Sequence, residues 1–542
     1  MKNLGHPALL GLALVLVTTI GARNVRADDP EAIARLDALT KSIDGQLGEA
    51  NAREMYVFVD KPLYHPGETV WFRAFEVARK SLTSVAGEHG VTFELLDPRG
   101  AKVLEKRVLS KSGVATNDFA LPAGIVGGAY LLRATSDGGV KEERAITVST
   151  YELPRVRKTI DFGRTTYSPG DRVTATVMLS RVTGEPMTGA KVTAVISVDG
   201  NDLARFQPMV DGKGRAFLVF DLPRRITKGE VFVNLQVDVG GVVESMQRRI
   251  PVTLDEVTVT AFPEGGDLVS GLPSRVYLAG RDPQGKPAEI EGRVMDETGR
   301  VVTTFKSVHA GMARVAMTPQ EGHKYFVKLT HPSRDVAFPI PVAKSSGCTL
   351  ETEDDYRSSR ADIVAKVRCT TPQRVFATAV LRDKIMSRTT AETRAGEPTE
   401  IHLPTDAARG AVRVTLWVDD RTPVAERLVY RGLGNELRVS VTADKASYVP
   451  RERVTLTVKA TDASGAPAKA DFALAVVDDA VINLADDKSP NILADLYLLP
   501  EMPGQRVHEP NFYYSSDKKA PESMDLLMGT QGFRRFTWKW VK

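Results

Sequence analysis

The sequence predicts an all-β protein of tandem antiparallel β-sandwiches, immunoglobulin- or fibronectin-like, with a short N-terminal helix and a partly helical C-terminal segment. Three observations carry this. From residue 55 to about 477, strand-length runs alternate with turn clusters rich in Gly, Pro, Asp and Asn, and no long amphipathic helix interrupts them. A tag of tyrosine, turn and strand occurs three times: DKPLYHPGETV at 60–70, GRTTYSPGDRV at 163–173 and DKASYVPRERV at 444–454. And 542 residues are too many for one hydrophobic core.

The tag has a physical reading. In Pro66-Gly67 and Pro169-Gly170 the proline presets φ at the first central position of a turn. The glycine accepts the positive φ of a type II turn at the second. The third copy has Arg451 after Pro450, which predicts a type I turn there. Strict alternation follows, as Val173, Ala175, Val177 and Leu179 in one copy and Val454, Leu456 and Val458 in another, so one strand face is buried and the other wet. His65 gives way to Ser168 and Val449, whereas Tyr64, Pro66 and Val70 recur as Tyr167, Pro169, Val173 and as Tyr448, Pro450, Val454. The tag therefore marks the opening corner of a sandwich, and His65 is not needed for it. Turns of similar chemistry follow at 97–100, 182–192 and 462–471, and a related unit spans 271–286. Sandwiches are expected over 54–154, 155–254, 255–344 and 345–434, with an incomplete one over 435–486 and a C-terminal segment over 487–542.

The N-terminus differs in kind. Lys2 precedes a short apolar run, ALLGLALVLV at 8–17, and a small-residue boundary at Ala22 or at Val25-Arg26-Ala27. This is the pattern of a secretory signal peptide over 1–27, and an uncleaved anchor is the competing reading. A secreted or periplasmic protein without a stable membrane span is expected. Loss of Lys2, Arg23 and Arg26 with the leader lowers the formal charge from +4 to +1. Nucleic acid is not an expected partner, because no clustered basic face accompanies so small a charge. In residues 28–53, Ile33, Leu36, Leu39, Ile43 and Leu47 recur at helical spacing, which predicts an amphipathic helix that packs on the first sandwich or serves as an interaction segment.

The two cysteines, Cys348 and Cys369, fall opposite each other when the chain is folded into a hairpin about Ser358-Ser359, so a cross-strand disulfide is predicted. No C-x-x-C, H-E-x-x-H, G-x-S-x-G or phosphate-binding loop is present, and the histidines lack a metal-spaced second ligand. Gly265-Gly266 precedes a strand rather than a helix and so fails as a phosphate cradle. Asp97, Asp282 and Asp462 beside turn glycines read as turn residues rather than calcium ligands. No catalytic, cofactor or metal site is predicted.

With those residues in view, the tag resembles the first strand of macroglobulin domains, the units of the α2-macroglobulin and complement superfamily. FALAVVDDAVINLAD at 472–486 is similar to the strand that leads into that family's bait-region domain. FPEGGDLVSGLP at 262–273 and MDLLMGTQGFRRFTW at 524–538 are similar to bacterial macroglobulin-domain proteins, and the likeness covers about residues 55–542. The resemblance implies the endopeptidase-inhibitor superfamily, in which a protease cuts an exposed bait and the scaffold rearranges around it, often with an internal Cys–Gln thioester. No C-G-E-Q sequence is present, and both cysteines lie far upstream of where a thioester domain would fall. A member lacking the thioester domain, acting by protein binding, is therefore expected.

After residue 486 the composition shifts. A short helix is expected near Pro490 and another over 523–532, stopped by glycine. Residues 500–522 read as a protease-accessible bait with trypsin-type sites at Arg506, Lys518 and Lys519. The competing reading, favoured because a bait should be poor in large aromatics, is an ordered extension that packs Phe512, Tyr513 and Tyr514 on the last sandwich or a partner. Two functions compete on this basis: an exported inhibitor-family protein that binds proteases, and a non-inhibitory envelope or cell-surface scaffold.

Overall fold

The computed structural model describes residues 30–531 apart from 46, 48–50, 151–155, 165, 182, 228, 240, 253–256, 333–335, 353–361, 406–407, 419–421, 433–436, 463, 486 and 503–506. The leader, Ser358-Ser359, Arg506 and the terminal tryptophans lie outside the described residues. The first tag opens a sandwich of eight strands, ordered Arg53–Val59, Thr69–Ala78, Val114–Ala120, Lys102–Lys111, Glu88–Leu96, Gly128–Ser136, Lys141–Val148 and Leu63–Tyr64. Three further sandwiches each oppose a three-stranded to a four-stranded sheet. In the second, Arg215–Asp221, Arg172–Arg181 and Val156–Phe162 face Asn201–Phe206, Lys191–Val198, Val231–Val239 and Val242–Arg249. The third spans Thr258–Pro263 to Ala337–Pro339 and the fourth Cys348–Thr352 to Thr422–Arg431, in the same strand order. Every sandwich encloses its own apolar cluster, the inward half of the alternating strands.

The three tags build one corner. Tyr64 and Tyr167 are fully buried at 0% exposure. The Tyr64 hydroxyl donates to Asp60 Oδ1 at 2.7 Å and accepts the Lys61 amide, while Asp60 also accepts the Trp71 amide at 2.9 Å. Tyr448 repeats this with Asp444, Lys445 and Thr455. In the second copy Gly163 replaces the aspartate, and the Tyr167 hydroxyl donates instead to the Thr174 carbonyl. An acid after the turn completes the corner by accepting from the backbone three residues earlier: Glu68 from His65, Asp171 from Ser168, Glu452 from Val449. Burial, followed by the hydrogen bond to Asp60, pushes the Tyr64 phenol well above its usual range.

Arg451 has φ +66°, in the left-handed region, where Gly67 and Gly170 have +86° and +87°. The third turn thus shares the geometry of the others and is not type I. The Glu452 amide must still reach the Val449 carbonyl, and the corner imposes positive φ on a residue that disfavours it.

Cys348 and Cys369 form a disulfide and are direct partners across the strands Cys348–Thr352 and Asp362–Cys369. The N-terminal helix α1 (Pro30–Asp44) packs on the fourth sandwich rather than the first. Its Leu39 and Ile43 bury Phe376 and Trp417, and Asp37 pairs with Arg388 at 2.6 Å. The outer face of that sheet carries this apolar pair, so the helix supplies a cover the strands require. Residues 472–478, expected as a strand, run without ladder partners into helix α2 (Asp479–Ala485). Asp97, Asp282 and Asp462 each accept two turn amides through Oδ1.

The corner makes a graded prediction. Tyr64→Phe leaves the Asp60 carboxylate and the Lys61 amide short of a partner inside the first core, and should lower stability by about 1–3 kcal/mol. Tyr448→Phe, at a half-exposed corner, should cost less, on the order of 0.5 kcal/mol. Denaturant titration of the two variants checks this, and equal losses would show that burial does not set the cost.

Candidate functional site

The feature that joins the sandwiches is the segment 471–531, which crosses the first, third and fourth of them and meets the second where Asp479 pairs with Arg157 at 2.9 Å. Helix α3 (Ile492–Tyr497) starts where Asn491 caps it, its side chain accepting the Ala494 amide at 2.9 Å. Helix α4 (Ala520–Gln531) starts three residues before the sequence predicts, with Pro521 in its first turn. Between them, Leu499–Glu501 and Pro510–Tyr514 form short 3₁₀ segments.

Three arginines of the first sandwich hold the early part of this strap. Arg73 donates to the Phe472 carbonyl at 2.6 Å. Arg144 reaches Asp487 at 3.1 Å and the Pro490 carbonyl at 3.3 Å. Arg79 gathers Glu54 of its own sandwich, Asp383 of the fourth at 3.1 Å and Glu501 of the strap at 3.0 Å. Beside them, Glu142 of the strand Lys141–Val148 lies within reach of the charge of Asp495 on α3, which packs on the strand Arg53–Val59. Burial, then the Asp495 charge, pushes Glu142 up to about 7, and burial with the Glu54 charge raises Asp495 to about 6.

The later part closes the seam between the third and fourth sandwiches. Phe512 stacks on His309 with ring centroids 3.8 Å apart, and burial lowers the His309 pKa. Tyr513 is buried, and the Tyr514 hydroxyl meets that of Tyr430 at 2.9 Å. Beneath α4 lies a buried ionic network. Arg427, on the fourth sandwich, donates through Nε to Glu264 at 3.0 Å, through Nη1 to the Leu428 carbonyl at 2.7 Å and through Nη2 to the Tyr277 hydroxyl at 2.9 Å, and it also pairs with Asp525 of α4. Tyr277 and Arg314 of the third sandwich donate to the other oxygen of Asp525, at 3.1 and 2.9 Å. Burial works against the Arg427 charge, yet Tyr277, Asp525 and Glu264 more than restore it and raise its pKa. Burial pushes the Glu264 carboxyl up, and Arg427 and Arg275 pull it back only in part. Gly529 lies flat on Tyr277, where an added Cβ would stand 2.3 Å from the ring.

Of the trypsin-type positions, Lys518 and Lys519 sit exposed in the turn before α4. The Lys519 carbonyl accepts the Ser523 amide at 2.9 Å, and Ala520 is already buried. Sequence reasoning did not single out Glu264, Tyr277, Arg427 or Asp525. Arg427 and Glu264 read as ordinary polar positions, and only the odd placement of a charge inside VAERLVY (424–430) hinted at a buried partner. Among the described residues no three His, Cys, Asp or Glu side chains gather as metal ligands, and no helix is long and apolar enough to cross a membrane.

A pH dependence arises at the α3 interface. Glu142 and Asp495 hold their protons more tightly when docked than free in water, so docking is strongest below the ordinary carboxyl range and weakens as pH rises through about 6 and 7. Amide exchange in Ile492–Leu498 should accelerate several-fold from pH 5 to 8 beyond its intrinsic base catalysis, and Glu142→Gln should remove most of that excess.

The comparisons with known proteins agree with this architecture. A family model described as the MG2 domain matches residues 54–148, and one described as the alpha-2-macroglobulin bait region domain matches residues 350–484, ending ahead of the 500–522 segment. The chain is 25% identical over 531 residues to "Alpha-2-macroglobulin" of Ralstonia nicotianae, covering 88% of this chain and 33% of that protein. It is 26% identical over 301 residues to "Thioester-containing protein 1 allele R1" of Anopheles gambiae, covering 53% and 21%. The chain thus spans about a third or less of the length of these relatives. Among solved structures, trypsin-activated alpha-2-macroglobulin from Escherichia coli superposes with a TM-score of 0.50 at 14% identity, over 84% of this chain and 36% of that one, a likeness of fold. The two domain models and the relatedness along most of the chain support an α2-macroglobulin superfamily protein.

Proposed function

We propose that the chain is an exported, protein-binding member of this inhibitor family that senses proteases through the turn before α4 and acts without thioester chemistry. The observation that carries this is the position of Lys518-Lys519, exposed and directly joined to the helix that closes the third–fourth seam. A protease binds its substrate in extended form, and here a 3₁₀ turn and a helix flank the two lysines. Cleavage at Lys518 or Lys519 requires the start of α4 to open, and the cut then separates α4 from the segment that anchors it. Arg506, outside the described residues, is the third candidate position. The disulfide supports export to an oxidising compartment, as does the apolar leader. Both cysteines of the sequence are consumed in that bond, which supports binding without a thioester. The scaffold reading has its own support in the burial of Tyr513 and the stacking of Phe512, which favour an ordered strap over a loose bait.

Trypsin distinguishes the two. Selective cutting at Lys518, Lys519 or Arg506, with loss of trypsin activity toward large substrates only, supports protease sensing. Cuts scattered among the joints between sandwiches, with no inhibition, sink it. The seam adds a quantitative expectation. Arg427→Met leaves buried Glu264 with Arg275 alone at 3.8 Å and Asp525 with Arg314 alone at 2.9 Å, and should weaken α4 docking by about 3 kcal/mol. Cutting at Lys518-Lys519 should accelerate on the order of a hundredfold while opening remains fast relative to cleavage. Unchanged cleavage kinetics would show that α4 does not gate the turn.

A further inference from the structure

One edge strand of the second sandwich lacks the protection that its counterparts have. Arg215–Asp221 ends the three-stranded sheet and, among the described residues, pairs only with Arg172–Arg181. Its Ala216, Leu218 and Phe220 turn inward, while Phe217 and Val219 turn outward and are 58% and 52% exposed. Met178, opposite Arg215 on the neighbouring strand, extends this apolar patch at 44% exposed. An uncovered edge is a template for a further strand unless charge, proline or a covering element blunts it. The third sandwich covers the corresponding strand, Met312–Met317, with α4, whose Thr530 meets Met312 and whose Asp525 pairs with Arg314. The fourth turns Glu400, His402 and Pro404 outward on Thr399–Pro404. Neither device protects Phe217 and Val219.

The strand is complementary to itself. Laid antiparallel against a second copy and centred on Leu218, RAFLVFD sets Arg215 opposite the partner's Asp221 and Phe217 opposite the partner's Val219. Hydrogen bonding is in phase with this register. The Leu179 amide donates to the Gly214 carbonyl, whereas the Arg215 amide and carbonyl both bond to Asp211 in the preceding turn. Backbone polar groups alternate in direction along a strand, so those of Phe217 and Val219 point at the open edge. Phe217 and the partner's Val219 are thus placed to exchange both bonds of an antiparallel pair. A shift of two residues sets Arg215 opposite Val219 or Asp221 opposite Phe217, and parallel pairing sets like charge beside like. Arg215 and Asp221 are held locally by Asp211 and Arg172, each at 2.9 Å, in pairs that stay at the surface. Such exposed charges fix register and orientation more than affinity.

We propose that Arg215–Asp221 is a self-association strand, through which two copies of this chain pair antiparallel about Leu218 and join two three-stranded sheets into one. Backbone pairing along the edge supplies affinity, as in β-strand addition generally. On the outer face, Phe217 of each copy packs against the partner's Val219, an aromatic side chain on a β-branched one. Arg215 and the partner's Asp221 close both ends of the pairing and select the second copy over an unrelated strand. The pairing is independent of protease sensing at α4. The strap meets this sandwich at the opposite edge strand, Val156–Phe162, where Asp479 pairs with Arg157.

Sedimentation velocity of the full chain tests this. A concentration-dependent dimer with Kd below about 100 μM is expected. Val219→Lys, at an exposed position, should weaken it about tenfold or more. Arg215→Asp and Asp221→Arg should each weaken it, because like charges then face each other at both ends of the pairing. An equimolar mixture of those two variants should restore the dimer, since both ends of the heterodimer again carry opposite charges. A general loss of fold does not imitate that restoration. Amide exchange at Phe217 and Val219 should slow as protein concentration rises, while Leu218, already bonded within its sheet, should not change. A chain that stays monomeric at about 1 mM overturns the proposal and leaves the edge to a different partner. A dimer indifferent to Val219→Lys overturns it, as does a mixture of the charge variants that associates no better than either alone.

Discussion

One buried guanidinium sets the terms for the rest of this structure. Arg427 is 3% exposed at its side chain and sits where the third sandwich, the fourth sandwich and α4 converge. An ion removed from water in this way costs several kcal/mol unless every donor is matched. It is matched here by partners from three separate parts of the chain: Glu264 and Tyr277, the Leu428 carbonyl, and Asp525. No two of those parts can separate without stranding a charge. The network therefore makes the seam close to all-or-none, and aromatic packing of Phe512, Tyr513 and Tyr514 adds apolar area to a geometry the charges already dictate.

The same logic orders the wider assembly. Sandwiches with self-contained cores have no intrinsic reason to hold fixed positions. Here the strap supplies one, with Arg73, Arg79 and Arg144 gripping it on the first sandwich and Asp525 locking it on the third and fourth. Arg79 also reaches Asp383, so the first and fourth sandwiches, remote in sequence, touch directly. Under the proposed function, a local cut in a segment that touches all four sandwiches would release contacts that hold their arrangement.

Much of the fold was legible because it is local chemistry. Pro66-Gly67 and Pro169-Gly170 specify their turns, Tyr64 and Tyr167 mark a buried corner, and the period-two runs specify which face is inward. The cysteine pair was legible because hairpin symmetry about residues 358–359 sets it opposite. The Arg451 turn was misread because the corner's hydrogen bonds, rather than the intrinsic preference of arginine, decide φ there. The docking of α1 on Phe376 and Trp417 and the network around Arg427 were not legible, since the partners of Arg427 lie 98 to 163 residues away, those of α1 lie farther still, and nothing local announces the pairing. In sequence Glu264 is one acid in a glycine-rich turn, and only the fold shows that it faces Arg427.

The central claim, that Arg427 and Asp525 act as one lock between α4 and the seam, is tested most directly by a double-mutant cycle on stability. Arg427→Met and Asp525→Leu are measured singly and together by denaturant-dependent opening of the seam, followed by amide exchange of α4. If the two side chains form one lock, the double variant is much less destabilised than the sum of the singles, with a coupling of about 2–3 kcal/mol. Additivity within about 0.5 kcal/mol would contradict it, and would mean that Arg427 and Asp525 hold the seam independently of each other.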